Sequence, residues 1–335
     1  MSAHLDLTLI WAGILALAIF AYVVMDGFDL GIGILFPILR VGEERDQAMN
    51  AIAPVWDGNE TWLVMGGGGL LAVFPLAYAI ILPAVYPPVI AMLLALVFRG
   101  VAFEFRWRDA RHRPLWDAAF AIGSMVASLA QGITLGAILQ GIRVEHDAYA
   151  GAWLDWLSPF SLLTGVALLV GYALLGATWL VYKTEGDHQA HARRLALQLG
   201  IAMLAAIVAV SAATPLLHID YWRRWFSMPG VLLTAQVPLL TAITAGVFFW
   251  SLKRGKELLP FLMTLAMFLL GFIGLQVSIY PYIVPRALTL WQAAAPAQSQ
   301  AFLLVGAAFI IPLIFAYTGW AYWVFRGKVG THGYH

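Results

Sequence analysis

The chain has 335 residues, of which 62% are hydrophobic and only 11% are charged, and its mean hydropathy is +0.83. Soluble domains carry about 25% charged residues, so this composition excludes a soluble globular protein. It predicts an all-α polytopic membrane protein. The net charge of +1 indicates no class of partner, and nothing in the sequence points to nucleic acid. The absence of cysteine excludes disulfides, thiolate metal ligands and cysteine-bound iron–sulfur clusters.

About nine apolar runs are long enough to cross a bilayer, which takes about 20 residues. In chain order these predicted spans cover residues 7–30, 54–74, 77–98, 116–139, 159–182, 195–214, 231–252, 258–280 and 301–325. Residues 7–30 lack the basic start and the small-residue cleavage site of a signal peptide, so we expect a mature helix. The join between the second and third spans is the least defined, because prolines recur from Pro75 to Pro88.

Lysine and arginine are distributed unequally between alternate connecting segments. One set of segments, together with the tail, holds Arg40, Arg45, Arg99, Arg106, Arg108, Arg111, Arg113, Lys183, Arg193, Arg194, Lys253, Arg254, Lys256, Arg326 and Lys328. The other set holds Arg143, Arg223, Arg224 and Arg286. Connections rich in lysine and arginine face the cytoplasm. We therefore expect the N-terminus outside and the C-terminus in the cytoplasm, which agrees with an odd number of spans.

Acidic residues recur at the cytoplasmic ends of the predicted spans. The first span ends in Met25-Asp-Gly-Phe-Asp-Leu-Gly31, where Asp26 and Asp29 share one helix face because they are three residues apart. Asp57 and Glu60 repeat this spacing near the start of the second span. Glu104 follows the third span and Asp117 opens the fourth. The sequence predicts that six acids gather at one face: Asp26, Asp29, Asp57, Glu60, Glu104 and Asp117.

Three interpretations of these acids stay open at this point. Acids within membrane segments are costly and default to a functional role such as proton or cation handling. Acids also stabilise helix N-termini, which explains Asp117 and partly Asp57, but not Asp26 and Asp29, which come late in their helix. The third interpretation is ion pairing with arginines at the same level, Arg99, Arg106 and Arg108.

Histidine placement argues against a haem held by this chain. All eight histidines fall outside the predicted spans: His4, His112, His146, His188, His191, His218, His332 and His335. A haem buried between helices needs a histidine, methionine or similar axial ligand at membrane depth, and lone methionines in apolar helices are mostly packing residues. We expect a haem-free chain in which His188 and His191 are solvated. Gln131 and Gln276 are expected to be buried amides that bridge helices, with ligand contact as the less favoured alternative.

Several motifs together resemble subunit II of the cytochrome bd-type quinol oxidases. Besides the Met25–Gly31 stretch they are Trp56-Asp-Gly-Asn-Glu60, Phe98-Arg-Gly-Val-Ala-Phe-Glu-Phe-Arg106, Trp116-Asp117, Tyr280-Pro-Tyr-Ile-Val-Pro285 and Leu288-Thr-Leu-Trp291. The first two motifs are highly specific, and all occur in the expected order from residue 7 to about residue 320. The short loops and tail are similar to the cyanide-insensitive branch of these oxidases.

The resemblance implies a fold of two four-helix bundles, residues 1–140 and 141–282, with a ninth helix and tail over 283–335. It implies a partner, the haem-bearing subunit I, which ligates haem b and haem d and binds ubiquinol or menaquinol. A small accessory membrane subunit, bound lipids and a structural quinone in subunit II are features of some members. Asp57 matches the proton-path acid that has been proposed for subunit II. Glu60 stands where other members carry glutamine.

The resemblance implies a haem-free subunit of a terminal oxidase that takes up protons from the cytoplasm and generates membrane potential. A proton- or cation-coupled secondary transporter is the alternative. It fits the carboxylates but not their position at one face, since transporter sites tend to lie near the midplane. A purely structural partner of the haem subunit is the third hypothesis.

Overall fold

The computed structural model describes residues 6–330 of the chain, which form helices joined by short connections and two small hairpins. The long helices are α1 (Leu7–Leu35), α3 (Trp56–Val73), α5 (Tyr86–Arg108), α6 (Arg113–Gln140), α7 (Pro159–Lys183), α8 (Gly186–Leu217), α11 (Gln236–Lys253), α12 (Leu258–Ile279) and α14 (Ala297–Val324). The short helices are α2 (Glu43–Asn50), α4 (Pro75–Ala84), α9 (Ile219–Phe226), α10 (Gly230–Thr234) and α13 (Leu290–Ala293), with a 3₁₀ turn at Ala110–His112. Strands β1 (Val144–Glu145) and β2 (Ala148–Tyr149) form one antiparallel hairpin, and β3 (Tyr282–Val284) and β4 (Leu288–Thr289) form the other.

Within residues 6–330, eight helical segments are long and apolar enough to cross a membrane, which confirms an all-α polytopic protein. The predicted second span corresponds to α3, whose 18 residues extend about 27 Å. Polar residues in its first two turns distinguish α3 from the eight apolar segments. The predicted third span is divided at Val85 into α4 and the longer α5. The sequence predicted one continuous span here. Pro75 and Pro87 lie in the first turns of α4 and α5, while Pro83 lies inside α4.

The start of α4 is held by the chain that precedes the last helix. Phe74, between α3 and α4, departs from helical geometry with φ −125° and ψ 59°. The backbone N–H of Ala295 donates to the carbonyl of Val73 at 2.7 Å, so an orphan carbonyl at the end of α3 is satisfied. Helix α4 then packs against β2, β3 and α13. It therefore lies at the end of the molecule that carries the hairpins.

The opposite end of the molecule carries α2 and most of the arginines, and we call it the arginine-rich end. It is the end at which α1 stops, at Leu35, and α5 stops, at Arg108. The C-terminal tail packs here. The buried Lys183 donates to the carbonyl of Gly327 at 3.0 Å. Lys328 contacts Glu257 at 2.8 Å, and this hydrogen bond lowers the pKa of the Glu257 carboxyl.

Helices α1 and α7 form the centre of the packing. Helix α1 contacts α3, α6 and α7, while α7 also contacts α8 and α12. By contrast, none of the most apolar part of α14 is buried within the chain. Phe302, Phe309 and Leu313 on α14 are 80%, 75% and 69% exposed. This helix presents a large apolar face outward along its whole length.

Gly31 and Gly176 permit a close backbone contact between α1 and α7. A Cβ added to Gly31 would collide with the backbone carbonyl of Tyr172, and one added to Gly176 would lie 2.5 Å from the carbonyl carbon of Gly31. Backbone atoms of a helix cannot move aside as a flexible side chain can. Gly31 therefore lets α1 approach α7 closely enough to bury the Asp26–Asp29 face.

We expect Gly31→Ala to destabilise the protein by about 1–3 kcal/mol, the usual cost of overpacking a core. The measurement is thermal unfolding of the purified complex. Gly13→Ala on the same helix is the matched control, because a Cβ at Gly13 meets nothing within 4 Å. Equal melting temperatures for the two variants would contradict the close approach of α1 and α7.

Candidate functional site

A buried guanidinium holds three carboxylates from two other helices. Arg99, on α5, is 1% exposed. Its Nη1 atom lies 3.1 Å from Oδ1 of Asp26 and 2.9 Å from Oε1 of Glu60, and its Nη2 atom lies 4.0 Å from Oδ2 of Asp29. We call these four residues the Arg99 cluster. The ion-pairing interpretation is confirmed for Asp26, Asp29 and Glu60.

The cluster lies deeper than the sequence predicts. Asp26 precedes the end of α1 by nine residues, and Arg99 precedes the end of α5 by nine residues. Each is therefore about 14 Å along its helix from the arginine-rich end at 1.5 Å per residue. The sequence placed Asp26 near the end of its span because the apolar run was ended at residue 30, whereas α1 continues to Leu35.

A second layer of hydrogen bonds fixes Asp29. Asn59, on α3, donates from Nδ2 to Oδ2 of Asp29 at 2.7 Å and to the carbonyl of Met25 at 3.2 Å. The hydroxyl of Tyr322, on α14, donates to Oδ1 of Asn59 at 2.9 Å. Helix α14 is thereby tied to the cluster. Asn59 belongs to the Trp56–Glu60 motif and could have been found from it, but no local signal points to Tyr322.

A third set of polar side chains continues the network away from the arginine-rich end. Tyr22 lies four residues before Asp26 on α1, so the two side chains share one face of the helix. Gln131, on α6, donates to the hydroxyl of Tyr22 at 2.8 Å, and the hydroxyl of Tyr172, on α7, donates to Gln131 at 2.7 Å. Gln131 thus bridges three helices, as predicted. The i,i+4 spacing of Tyr22 and Asp26 could have revealed this partner.

The Arg99 cluster holds more acid than base. Three carboxyl groups face one guanidinium, and Asp26 and Asp29 are fully buried. Both oxygens of Asp26, Oδ1 of Asp29 and two guanidinium nitrogens of Arg99 accept or donate no hydrogen bond among the described residues. Buried polar atoms of this kind are normally satisfied by ordered water. An excess of buried negative charge beside polar atoms of this kind is a favourable place to hold a proton.

The other predicted acids lie elsewhere. Asp57 is exposed on the surface of the chain, three residues before Glu60, whose side chain is 32% exposed. Glu104 is exposed and contacts only Arg108, at 3.8 Å, among its described ion pairs. Asp117 belongs to a separate network. The structure thus gathers Asp26, Asp29 and Glu60, with Asp57 at the margin, and does not bring Glu104 or Asp117 to them.

The second network is centred on Arg106, which we use to name it. Arg106, 2% exposed, contacts Oδ1 of Asp117 at 2.5 Å and Asp46 at 2.8 Å. Arg45 contacts Oδ2 of Asp117 at 2.8 Å, and Arg113 contacts Asp46. Here three arginines surround two acids. Both carboxylates are fully neutralised, so this network joins α2, α5 and α6 and has no spare negative charge.

The histidines also depart from the prediction. Because α8 begins at Gly186 rather than near residue 195, His188 and His191 lie in its first two turns. His191 contacts Glu44 and His188 contacts Gln47, each at 2.6 Å, so the prediction that they are solvated is wrong. His4, His332 and His335 lie outside the described residues. No group of three or more histidine, aspartate or glutamate side chains within residues 6–330 is placed to hold a metal ion.

Fold and site together define a polytopic helical membrane protein with a buried acid–arginine cluster in its first helices. A family model described as cytochrome bd terminal oxidase subunit II matches residues 7–325. The chain therefore belongs to the family of cytochrome bd oxidase subunit II. It is a subunit of a terminal quinol oxidase of bacterial respiration, and membership implies a partner subunit I, haems b and d carried mostly by that partner, and the inner membrane.

Relatives and a solved structure agree over nearly the whole chain. Subunit 2 of the cytochrome bd-I ubiquinol oxidase of Escherichia coli K12 is 30% identical, covering 96% of this chain and 95% of the relative. Subunit 2 of the cytochrome bd ubiquinol oxidase of Bacillus subtilis is 28% identical, covering 96% of each. A chain of the bd oxidase from Geobacillus thermodenitrificans superposes with a TM-score of 0.74 at 18% identity, covering 96% of this chain and 99% of that one. At this identity the superposition shows the fold.

We expect Arg99→Met to destabilise the protein by about 3–5 kcal/mol, because it leaves three carboxyl groups facing one another without a buried counter-charge. Thermal unfolding and the amount of complex in membranes measure this loss. Asp26→Asn in the Arg99→Met background should recover part of it, since the two side chains belong to one network.

The matched control is Arg108→Gln on the same helix. Its side chain is 78% exposed, and exposed substitutions usually stay within about 0.5 kcal/mol. If Arg99→Met unfolds at the same temperature as this control, Arg99 does not hold the three helices together.

Proposed function

We propose that this chain is the haem-free subunit II of a cytochrome bd-type quinol:oxygen oxidoreductase and that it carries protons from the cytoplasm towards the haem-bearing subunit I. The observation that carries this proposal is the Arg99 cluster, in which three carboxyl groups share one buried guanidinium. The oxidase part of the proposal rests on membership of the family. The excess of buried acid supplies a place where a proton can rest.

The arginine-rich end faces the cytoplasm in this proposal. The uneven distribution of lysine and arginine supports that orientation, with the N-terminus periplasmic and the C-terminus cytoplasmic. Proton uptake at this end and quinol oxidation at the other face together would generate a membrane potential. Neither step requires the proton to cross the whole membrane within this chain.

The route we propose starts at the surface with Asp57 and Glu60 and ends at the buried pair Asp26 and Asp29. Asp57 and Glu60 are three residues apart and share one face of α3. Glu60 is the connecting group, because its side chain is partly exposed while its Oε1 atom contacts Arg99 at 2.9 Å. Glu104 and Asp117 are left out of the route, since one is exposed and the other is neutralised by arginines.

The partner surface is proposed to lie beside this route. A Cβ on Gly58 would lie 3.9 Å from the ring of Tyr317 on α14, so the first turn of α3, which carries Asp57, lies beside that helix. An apolar face of this size is covered by lipid or by another subunit in a membrane. We propose that subunit I covers this face of α14 and receives the proton from the buried pair, to which α14 is linked through Tyr322 and Asn59.

The chain's own residues support the proposal that it holds no haem. His188, His191 and His218 lie at helix ends, and each accepts or donates a hydrogen bond to a neighbouring residue. These imidazoles join connecting segments and helix ends through hydrogen bonds, and they do not form a haem site at membrane depth. The two haem types belong to subunit I in this proposal, and they carry the oxygen chemistry. A structural quinone and an accessory subunit stay family expectations.

The two rivals make different predictions on purification. A proton- or cation-coupled transporter would be a colourless lone protein that is active in liposomes. Co-isolation of haem with a second polypeptide supports the oxidase. The structure also weighs against the transporter, since most of the acids at the arginine-rich end are neutralised or exposed rather than gathered around a ligand space. The Asp57→Asn variant described below distinguishes the proposal from the third hypothesis, a purely structural subunit without a proton role.

We expect Asp57→Asn to lower oxygen consumption by about tenfold or more, because a positioned proton-transfer group contributes about 10²–10⁴-fold to a proton-limited step. Haem content should stay near normal, since Asp57 is exposed and forms no ion pair among the described residues. The measurements are oxygen consumption with reduced quinone and the reduced-minus-oxidised spectrum of the purified complex.

Asp187→Asn is the matched control, because Asp187 is an exposed aspartate in the first turn of α8 at the same end of the molecule. It should leave turnover unchanged. Full oxygen consumption with full haem loading in Asp57→Asn would remove Asp57 from the route. Oxygen consumption by the Glu60→Gln variant would then show whether protons reach the buried pair through Glu60 or from elsewhere.

A further inference from the structure

A cavity of about 660 Å³ opens at the end of the molecule opposite the arginine-rich end. It lies between α9, the start of α10, the end of α12 and the β3–β4 hairpin. Three of the four basic residues that the sequence assigns to this side line it: Arg223, Arg224 and Arg286. Asp220 is the one acid in its described lining.

The positive charge of this cavity is poorly compensated. Arg286 lies 3.7 Å from Asp220, but both side chains are more than half exposed, so this pair is weak. Arg224 donates to the backbone carbonyls of Val277 and Ser278 at 3.3 and 3.0 Å, which carry only partial negative charge. Arg223 is exposed and has no ion pair among the described residues. Two positive charges therefore stay in excess.

Helix α9 places Arg223 and Arg224 beside an apolar surface. Ile219, Trp222 and Phe226 are 59%, 49% and 55% exposed, and their spacing puts them on one helix face. Tryptophan and other aromatic residues of this kind settle at the boundary between hydrocarbon and headgroups. Arg223 borders this face, because it follows Ile219 by four residues. Helices whose apolar face is bordered by basic residues lie in that boundary.

We propose that this cavity binds the phosphate group of an anionic phospholipid, whose acyl chains lie along the apolar face of α9. A phosphate diester and free inorganic phosphate offer the same oxygens to arginine. The adjoining apolar residues favour the lipid, because only a lipid would cover them. The site does not depend on the oxidase role. In the orientation proposed above it belongs to the outer leaflet.

Native mass spectrometry of the detergent-purified complex tests the proposal. Phosphatidylglycerol and phosphatidylcholine with the same acyl chains are titrated against the wild type, against Arg223→Gln, and against Arg223→Gln/Arg286→Gln. Arg224 is kept, because it caps the carbonyls at the end of α12. We expect phosphatidylglycerol to bind more tightly than phosphatidylcholine. Each arginine removed should weaken phosphatidylglycerol by about fivefold, since a basic residue near an anionic headgroup contributes about 1 kcal/mol.

Arg143→Gln is the matched control at the same end. Arg143 is exposed, contacts Glu145 at 2.9 Å and does not line this cavity, so lipid binding should not change. Equal binding of the two lipids by the wild type, or unchanged binding of phosphatidylglycerol by the single and double variants, would overturn the proposal. So would displacement of the lipid by millimolar inorganic phosphate, which would identify free phosphate as the ligand.

Discussion

The burial of one guanidinium governs the arrangement of the first helices. Arg99 is 1% exposed about 14 Å along α5 from the helix end, where an unpaired charge is prohibitive. The carboxylates that balance it come from α1 and α3, so both helices must turn their acidic faces towards α5. That rotation of α1 leaves Gly31 to meet α7. In one short motif, the two aspartates thus face Arg99 on α5 while the glycine allows α1 to pack against α7.

Two buried networks at the same end of the molecule differ in the sign of their charge balance. Around Arg99 the acids outnumber the base, while around Arg106 the bases outnumber the acids. In the network around Arg106 each carboxylate contacts two arginines, and these contacts join α2, α5 and α6. A network with surplus acid can accept and release a proton without losing its last ion pair. This difference separates Asp117, which looked equivalent in sequence, from Asp26 and Asp29.

Apolar contacts and buried ion pairs differ in how easily their residues can be exchanged without loss of the fold. A structure at 18% identity still superposes with a TM-score of 0.74 over nearly the full chain. Apolar side chains that face lipid or one another can be exchanged freely if they keep their volume. Buried ion pairs cannot be exchanged one partner at a time, because the remaining charge is then unpaired.

The sequence by itself determined the membrane class and the number of long helices, apart from the division of the third predicted span into α4 and α5. It also placed Asp26, Asp29 and Glu60 among six candidate acids, of which Glu104 and Asp117 lie outside the Arg99 cluster. Hydrophobic run length and motif spacing are local properties, and they were sufficient for these. Only the tertiary structure decided that Asp29 is reached by Asn59 and Tyr322, that Asp117 belongs with Arg106, and that His191 contacts Glu44. Each of these depends on the rotation of packed helices and on contacts between distant segments, which no local pattern specifies.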